Sequence, residues 1–113
     1  MAATACFQGG WDQGLIGAGP LKLYTHTDVT WCATNTWISS TWTGCNGVDG
    51  GYPTYEHLGC SQSQAYGVGW SAWDVKTTGN HCYAWVGYCA STTTVWSQYR
   101  MNGYGDAVLT GRS

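Results

Sequence analysis

The chain has 113 residues, the length of one domain, and at this size folding buries roughly two-thirds of the unfolded surface, so there is room for one modest core. Only 9% of the residues are charged and the net charge is −2; the four basic residues, Lys22, Lys76, Arg100 and Arg112, are scattered and form no stripe that would neutralise phosphates or anionic lipid. No apolar run approaches the roughly 20 residues of a spanning helix, so neither a nucleic-acid partner nor a membrane role has support.

Glycine occurs 17 times and interrupts most windows that a helix would need, which points to an all-β fold. Turns are expected at Gly9-Gly10, at 17–20, at 46–51 and at Gly79-Asn80. The longest glycine-free stretch, 20–43, is rich in Thr, Val, Ile and Trp, side chains that suit a pleated surface, and reads as two or three strands with Leu21/Leu23, Val29/Trp31 and Trp37 as alternating positions. Residues 65–75 read as a strand with Tyr66, Val68, Trp70 and Ala72 on one face and small residues on the other. Residues 81–88 are apolar on both faces, as in a central strand. A further strand, 92–101, sets Val95, Tyr99 and Met101 opposite Trp96 and Arg100; Asn102-Gly103 and Gly105-Asp106 mark a turn, and 107–110 closes the sheet. Residues 1–113 therefore read as a single secreted β domain, an antiparallel sandwich or barrel of about seven short strands.

The six cysteines, Cys6, Cys32, Cys45, Cys60, Cys82 and Cys89, are an even number in a short chain poor in aliphatic side chains, the signature of disulfides formed in an oxidising, extracellular compartment. No two of them have the spacing of a zinc site. Six cysteines allow fifteen pairings; sequence proximity favours Cys82 with Cys89 and Cys32 with Cys45, which leaves Cys6 for Cys60. Met1-Ala2-Ala3 runs straight into polar sequence and is read as a mature domain behind an added Met, while Gly111-Arg112-Ser113 reads equally as native sequence or as a cloning remnant.

Eight Trp, eight Tyr and one Phe outnumber the fourteen Val, Leu and Ile residues, so the core is expected to be built from rings. A domain this small cannot hide all of them. Trp31, Trp70, Trp85 and Trp96 lie in strand patterns and are expected inside. Trp11 in a turn, Trp37 and Trp42 around a polar segment, Trp73, Tyr52 and Tyr55 are the candidate ligand-binding rings. Exposed indoles among Gly, Thr and Ser suit stacking on the apolar faces of sugars, and the composition is similar in style to that of bacterial carbohydrate-binding modules. The run from Cys82 to Cys89, followed by Trp96 and Asn102-Gly103-Tyr104-Gly105, resembles small secreted disulfide-bonded proteins of actinobacteria whose function is uncharacterised.

No catalytic motif stands out: there is no Gly-x-Ser-x-Gly elbow, no His-Glu-x-x-His and no phosphate loop. Glu56 is the sole glutamate, and Glu56-His57, being adjacent, would point oppositely on a strand. Neither a cofactor nor a metal site is read. Three functions follow in order: a non-catalytic binding module for polysaccharide or glycan; a rigid protein ligand, such as a peptidase inhibitor or small antimicrobial factor, using the 45–60 loop; and a small hydrolase using Glu56 with Asp12 or His57.

Overall fold

The computed structural model describes residues 3–18, 21–49 and 55–113; the side chains of 15–18 and 21–22 lie outside that description. Seven antiparallel strands make two sheets. Strands β1 (Thr4–Ala18), β2 (Leu21–Thr34) and β3 (Trp37–Val48) form the first, in the order β1-β2-β3. The second takes β4 (Glu56–Tyr66), β5 (Ala72–Cys82), β6 (Thr92–Asn102) and β7 (Ala107–Arg112), in chain order. The sheets stack as an open sandwich measuring 59 × 24 × 18 Å, and no helix occurs among the described residues.

Side-chain alternation decides which faces meet. In β2 the buried set is Leu23, Thr25, Thr27, Val29, Trp31 and Ala33; in β5 the alternating residues Trp73, Val75, Thr77 and His81 are buried, together with Asp74 and Cys82. One half of the interface is apolar: Val29, Trp31, Ile38, Trp73, Val75 and Met101 cluster with Trp11, and Phe7 and Tyr99 pack against them. Its rings meet at an angle, Phe7 at 5.5 Å and Trp73 at 6.3 Å from Trp31, while Trp11 stacks on Tyr99 at 4.1 Å. The other half is polar, and nearly every buried polar group there has a partner, as desolvation demands. Gln13 donates to the carbonyls of Thr77 and Val95, Thr27 to the Thr77 hydroxyl, and Gln62 to the hydroxyls of Thr43 and Thr77. The Trp11 indole donates to Ser97, whose hydroxyl donates to the Gln13 carbonyl oxygen.

All six cysteines are paired, as Cys6–Cys32, Cys45–Cys60 and Cys82–Cys89. Only the last follows from proximity in sequence. Register explains the other two: Cys6 lies directly opposite Cys32 on neighbouring strands, with Cα atoms 4.0 Å apart. Cys45 on β3 reaches Cys60 on β4 and is the covalent link between the sheets.

The strands are fewer and longer than their glycines suggest. Gly9-Gly10 lies inside β1 and Gly79-Asn80 inside β5, where Gly10 and Gly79 mark crowding instead of a turn. A Cβ on Gly10 would sit 2.8 Å from the Thr27 carbonyl oxygen, and one on Gly79 would sit 2.1 Å from the Thr25 hydroxyl. The 65–75 strand is broken at Tyr66, where a turn with positive φ at Gly67 and Gly69 leads into β5. The expected central strand at 81–88 is also corrected, because β5 ends at Cys82 and the following residues form a loop closed by Cys82–Cys89. Gly111 and Arg112 belong to β7, opposite Gln98 and Ser97.

In the chain-entropy treatment a bridge closing 15 residues, the separation of Cys45 and Cys60, is worth about 3 kcal/mol. The variant Cys45→Ser/Cys60→Ser is expected to lose about that much stability in urea unfolding followed by tryptophan fluorescence. A loss below about 1 kcal/mol would show that the sheet interface alone closes the sandwich.

Candidate ligand-binding face

The face of the first sheet that points away from the core is set by the residues alternating with the buried ones. On β2 these are Tyr24, His26, Asp28, Thr30, Cys32 and Thr34. Pairing then lays out rows across the sheet. Thr34 stands beside Trp37, Gln8–Thr30–Trp42 form one row, Gly10–Asp28–Gly44 the next and Asp12–His26–Asn46 the one beyond. A bulge between Cys32 and Ala33 absorbs Ser39, so Ile38 turns inward while Trp37 and Trp42 both point out.

Trp37 and Trp42 are 55% and 59% exposed. Their rows are separated by four residues of β2, about 13 Å at a rise of roughly 3.3 Å per residue. Beside Trp42 lies an open cleft of about 550 Å³ bordered by Gln8, Gly10, His26, Asp28 and Thr30. Two glycines shape it: the Trp42 indole lies over Gly44, where a Cβ would come 3.3 Å from the ring, and Gly10 leaves the other flank of Asp28 bare.

The charge in this cleft is organised by His26. Its Nδ1 lies 2.5 Å from an Asp12 carboxylate oxygen and its Nε2 2.9 Å from one of Asp28. Only the imidazolium donates both bonds at once, and the Asp12 hydrogen bond, helped by Asp28 and opposed by partial burial, raises the His26 pKa above its ordinary 6.5. The protonated cluster carries one net negative charge and offers carboxylate acceptors to the cleft.

The rings proposed from sequence divide by environment. Trp37 and Trp42 share this face. Trp11 and Trp73 do not: at 9% and 1% exposure they are core residues, and the Trp73 indole donates to Gln64. Trp11 from the first sheet and Trp73 from the second both point into the interface between the sheets. Tyr55 lies edge-on to Tyr83 elsewhere, and Tyr52 falls outside the described residues, as do all of residues 50–54. Conversely Trp70 and Trp85, expected inside, are 56% and 36% exposed, since both sit in loops and not in strands, whereas Trp31 is core and Trp96 is half-buried under Lys76. No family model, curated protein or solved structure matches this chain.

The groups named for a hydrolase are dispersed. Asp12 is bound to His26 on the outer face, His57 turns inward to Thr25, and no hydrogen bond joins either to Glu56. Among the described residues no three His, Cys, Asp or Glu side chains are placed to hold a metal ion. Gln8, His26, Asp28 and Thr30 were missed as cleft residues, although the polar even positions 24–30 opposite the buried odd ones are a readable signal.

His26 is expected to titrate above 6.5 in a histidine NMR titration, and Asp12→Asn is expected to bring the midpoint down. A raised imidazole pKa stabilises the fold fully below the unfolded value and loses that contribution as the pH climbs through the folded one. An unchanged midpoint in Asp12→Asn would contradict the assignment of Asp12 as the main cause.

Proposed function

We propose that the domain is a secreted, non-catalytic module that binds a polysaccharide or glycan along the outer face of β1–β3. The observation that carries this reading is that Trp37 and Trp42 are exposed on one face of one edge strand, flanked by Gln8, Thr30, Asp28 and His26. Indole faces offer flat apolar platforms and the adjacent rows offer directional partners for hydroxyls. An occupant touching both rings is a chain of several sugars, since one ring cannot span about 13 Å. Lys and Arg are absent from these rows, which favours a neutral glycan over a polyanion. Three disulfides in a short, weakly charged chain support export to an oxidising compartment.

A second reading, a rigid protein ligand, is favoured by the loop closed by Cys82–Cys89, which exposes Val86 at 61% and Tyr88 at 67%. Loops held in one shape lose little entropy on binding.

Retention on cellulose, chitin, xylan or mannan, together with a glycan array, tests the first reading. Trp42→Ala is expected to weaken binding at least tenfold, about 1.4 kcal/mol or more, without loss of folding. If none of these glycans is retained, the reading is overturned, and a screen against secreted proteases takes up the second.

A further inference from the structure

Beneath the opposite face of the same sheet, in the polar half of the sandwich, two imidazoles and one hydroxyl form a chain whose protons are ordered from the Gly59 end. The backbone N–H of Gly59 donates to Nδ1 of His57 at 3.2 Å, so that nitrogen is bare and the neutral ring carries its hydrogen on Nε2. His57 Nε2–H therefore donates to the Thr25 hydroxyl at 2.8 Å. Thr25 has one hydrogen to give, and the arrangement that leaves it paired sends it to Nε2 of His81 at 2.9 Å. His81, fully buried, in that arrangement holds its hydrogen on Nδ1, and that atom is the one buried side-chain polar atom without a partner among the described residues. The two rings lie edge to face at 5.1 Å. The packing is tight: a Cβ on Gly47 would meet the His57 ring at 1.9 Å.

Protonation breaks this arrangement, because it displaces the Thr25 hydroxyl hydrogen or the Gly59 N–H and leaves the Nδ1–H of His81 still unpaired. A proton on His81 Nε2 turns an acceptor into a donor facing the Thr25 hydroxyl, and a proton on His57 Nδ1 expels the Gly59 N–H. Either step also places a charge where compensation is poor. Thr25 from β2 and Gly47 from β3 bring no charge to the rings, and Gly14 from β1 and Val95 from β6 bring none either. Asp12 and His26 point to the outer face, Glu56 lies on the other side of β4 from His57, and Asp49 is the one carboxylate whose charge acts on His57. One inward-facing row away, Cys45 and Cys60 sit opposite Thr27 and Gly79.

We propose that His57, Thr25 and His81 are an acid-sensitive latch between the two sheets, which opens the polar half of the interface when an imidazole is protonated while Cys45–Cys60 keeps the sheets tethered so that the opening is reversible. Burial drives the same way, lowering the His57 pKa and pushing that of His81 down to about 4, with the His57 ring adding to the effect on His81. A depressed imidazole pKa means that stability is complete above the ordinary value of 6.5 and falls as the pH drops from there through the folded value. The glycan face has its own titrating group in His26, and the latch does not depend on what that face binds.

Long-range ¹⁵N–¹H NMR of the native, disulfide-intact protein at pH 7 is expected to place hydrogen on Nε2 of His57 and on Nδ1 of His81. Between pH 7 and 4.5, before most carboxylates titrate, amide exchange corrected for its intrinsic rate is expected to speed up at Thr25, Thr77 and Gly79, while Trp31 and Trp73 stay protected. The expected rise in opening is roughly sixtyfold, from the difference between 6.5 and about 4 at His81. In His57→Gln/His81→Gln the acceleration is expected to vanish. A hydrogen on Nε2 of His81, a His81 midpoint at or above 6.5, or protection lost uniformly through both halves would overturn the latch; the first two readings need no variant to fold.

Discussion

The register of β2 against its two neighbours is the constraint on which the rest of the molecule depends. With Trp31, Val29 and Thr27 committed inward, every second residue of β1 and β3 is committed with them, and a slip of one residue would exchange the core for the outer face. Cys6–Cys32 ties β1 to β2 at one point of that register, and the inward Cys45 then meets Cys60 of the other sheet. Parity thus places the covalent links, the core rings and the exposed indoles in one stroke.

What fills the interface is unusual in proportion. Aliphatic side chains are scarce, so Trp11, Trp31 and Trp73 fill one half together with Val29, Ile38, Val75 and Met101, and Gln13, Thr25, Thr27, Thr77 and Ser97 occupy the other. A buried hydroxyl or amide contributes little net stability when paired and costs heavily when orphaned. The two sheets are therefore held in one relative position by the need to keep these groups satisfied, while Val29, Trp31 and Trp73 supply the non-directional attraction. The one orphan among the described residues, Nδ1 of His81, marks the weak point of the scheme.

The all-β class, the seven strands and the pairing of Cys82 with Cys89 were legible because composition and proximity suffice for them. Strand length and the other two disulfides were not, because they depend on which strands become neighbours. Gly10 and Gly79 look like turn signals in one dimension, yet they are places where a neighbouring carbonyl or hydroxyl leaves no room for a Cβ. The same blindness sent Trp73 to the surface and Trp70 to the core: both sit in alternating patterns, but only Trp73 lies in a strand. Trp37 and Trp42 were identifiable as rings beside a polar segment, whereas their alignment needed the bulge at Ser39, which no local pattern announces.

The sorting of indoles by strand parity underlies both the core and the proposed binding face, and covalent footprinting reads it directly. Brief oxidation of the native protein with N-bromosuccinimide, followed by peptide mass spectrometry, is expected to modify Trp37, Trp42 and Trp70 first and to leave Trp11, Trp31 and Trp73 intact until the fold is lost. Oxidation of Trp31 or Trp73 at the rate of Trp42, with all three disulfides still closed, would contradict the register of β2 and the binding face built on it.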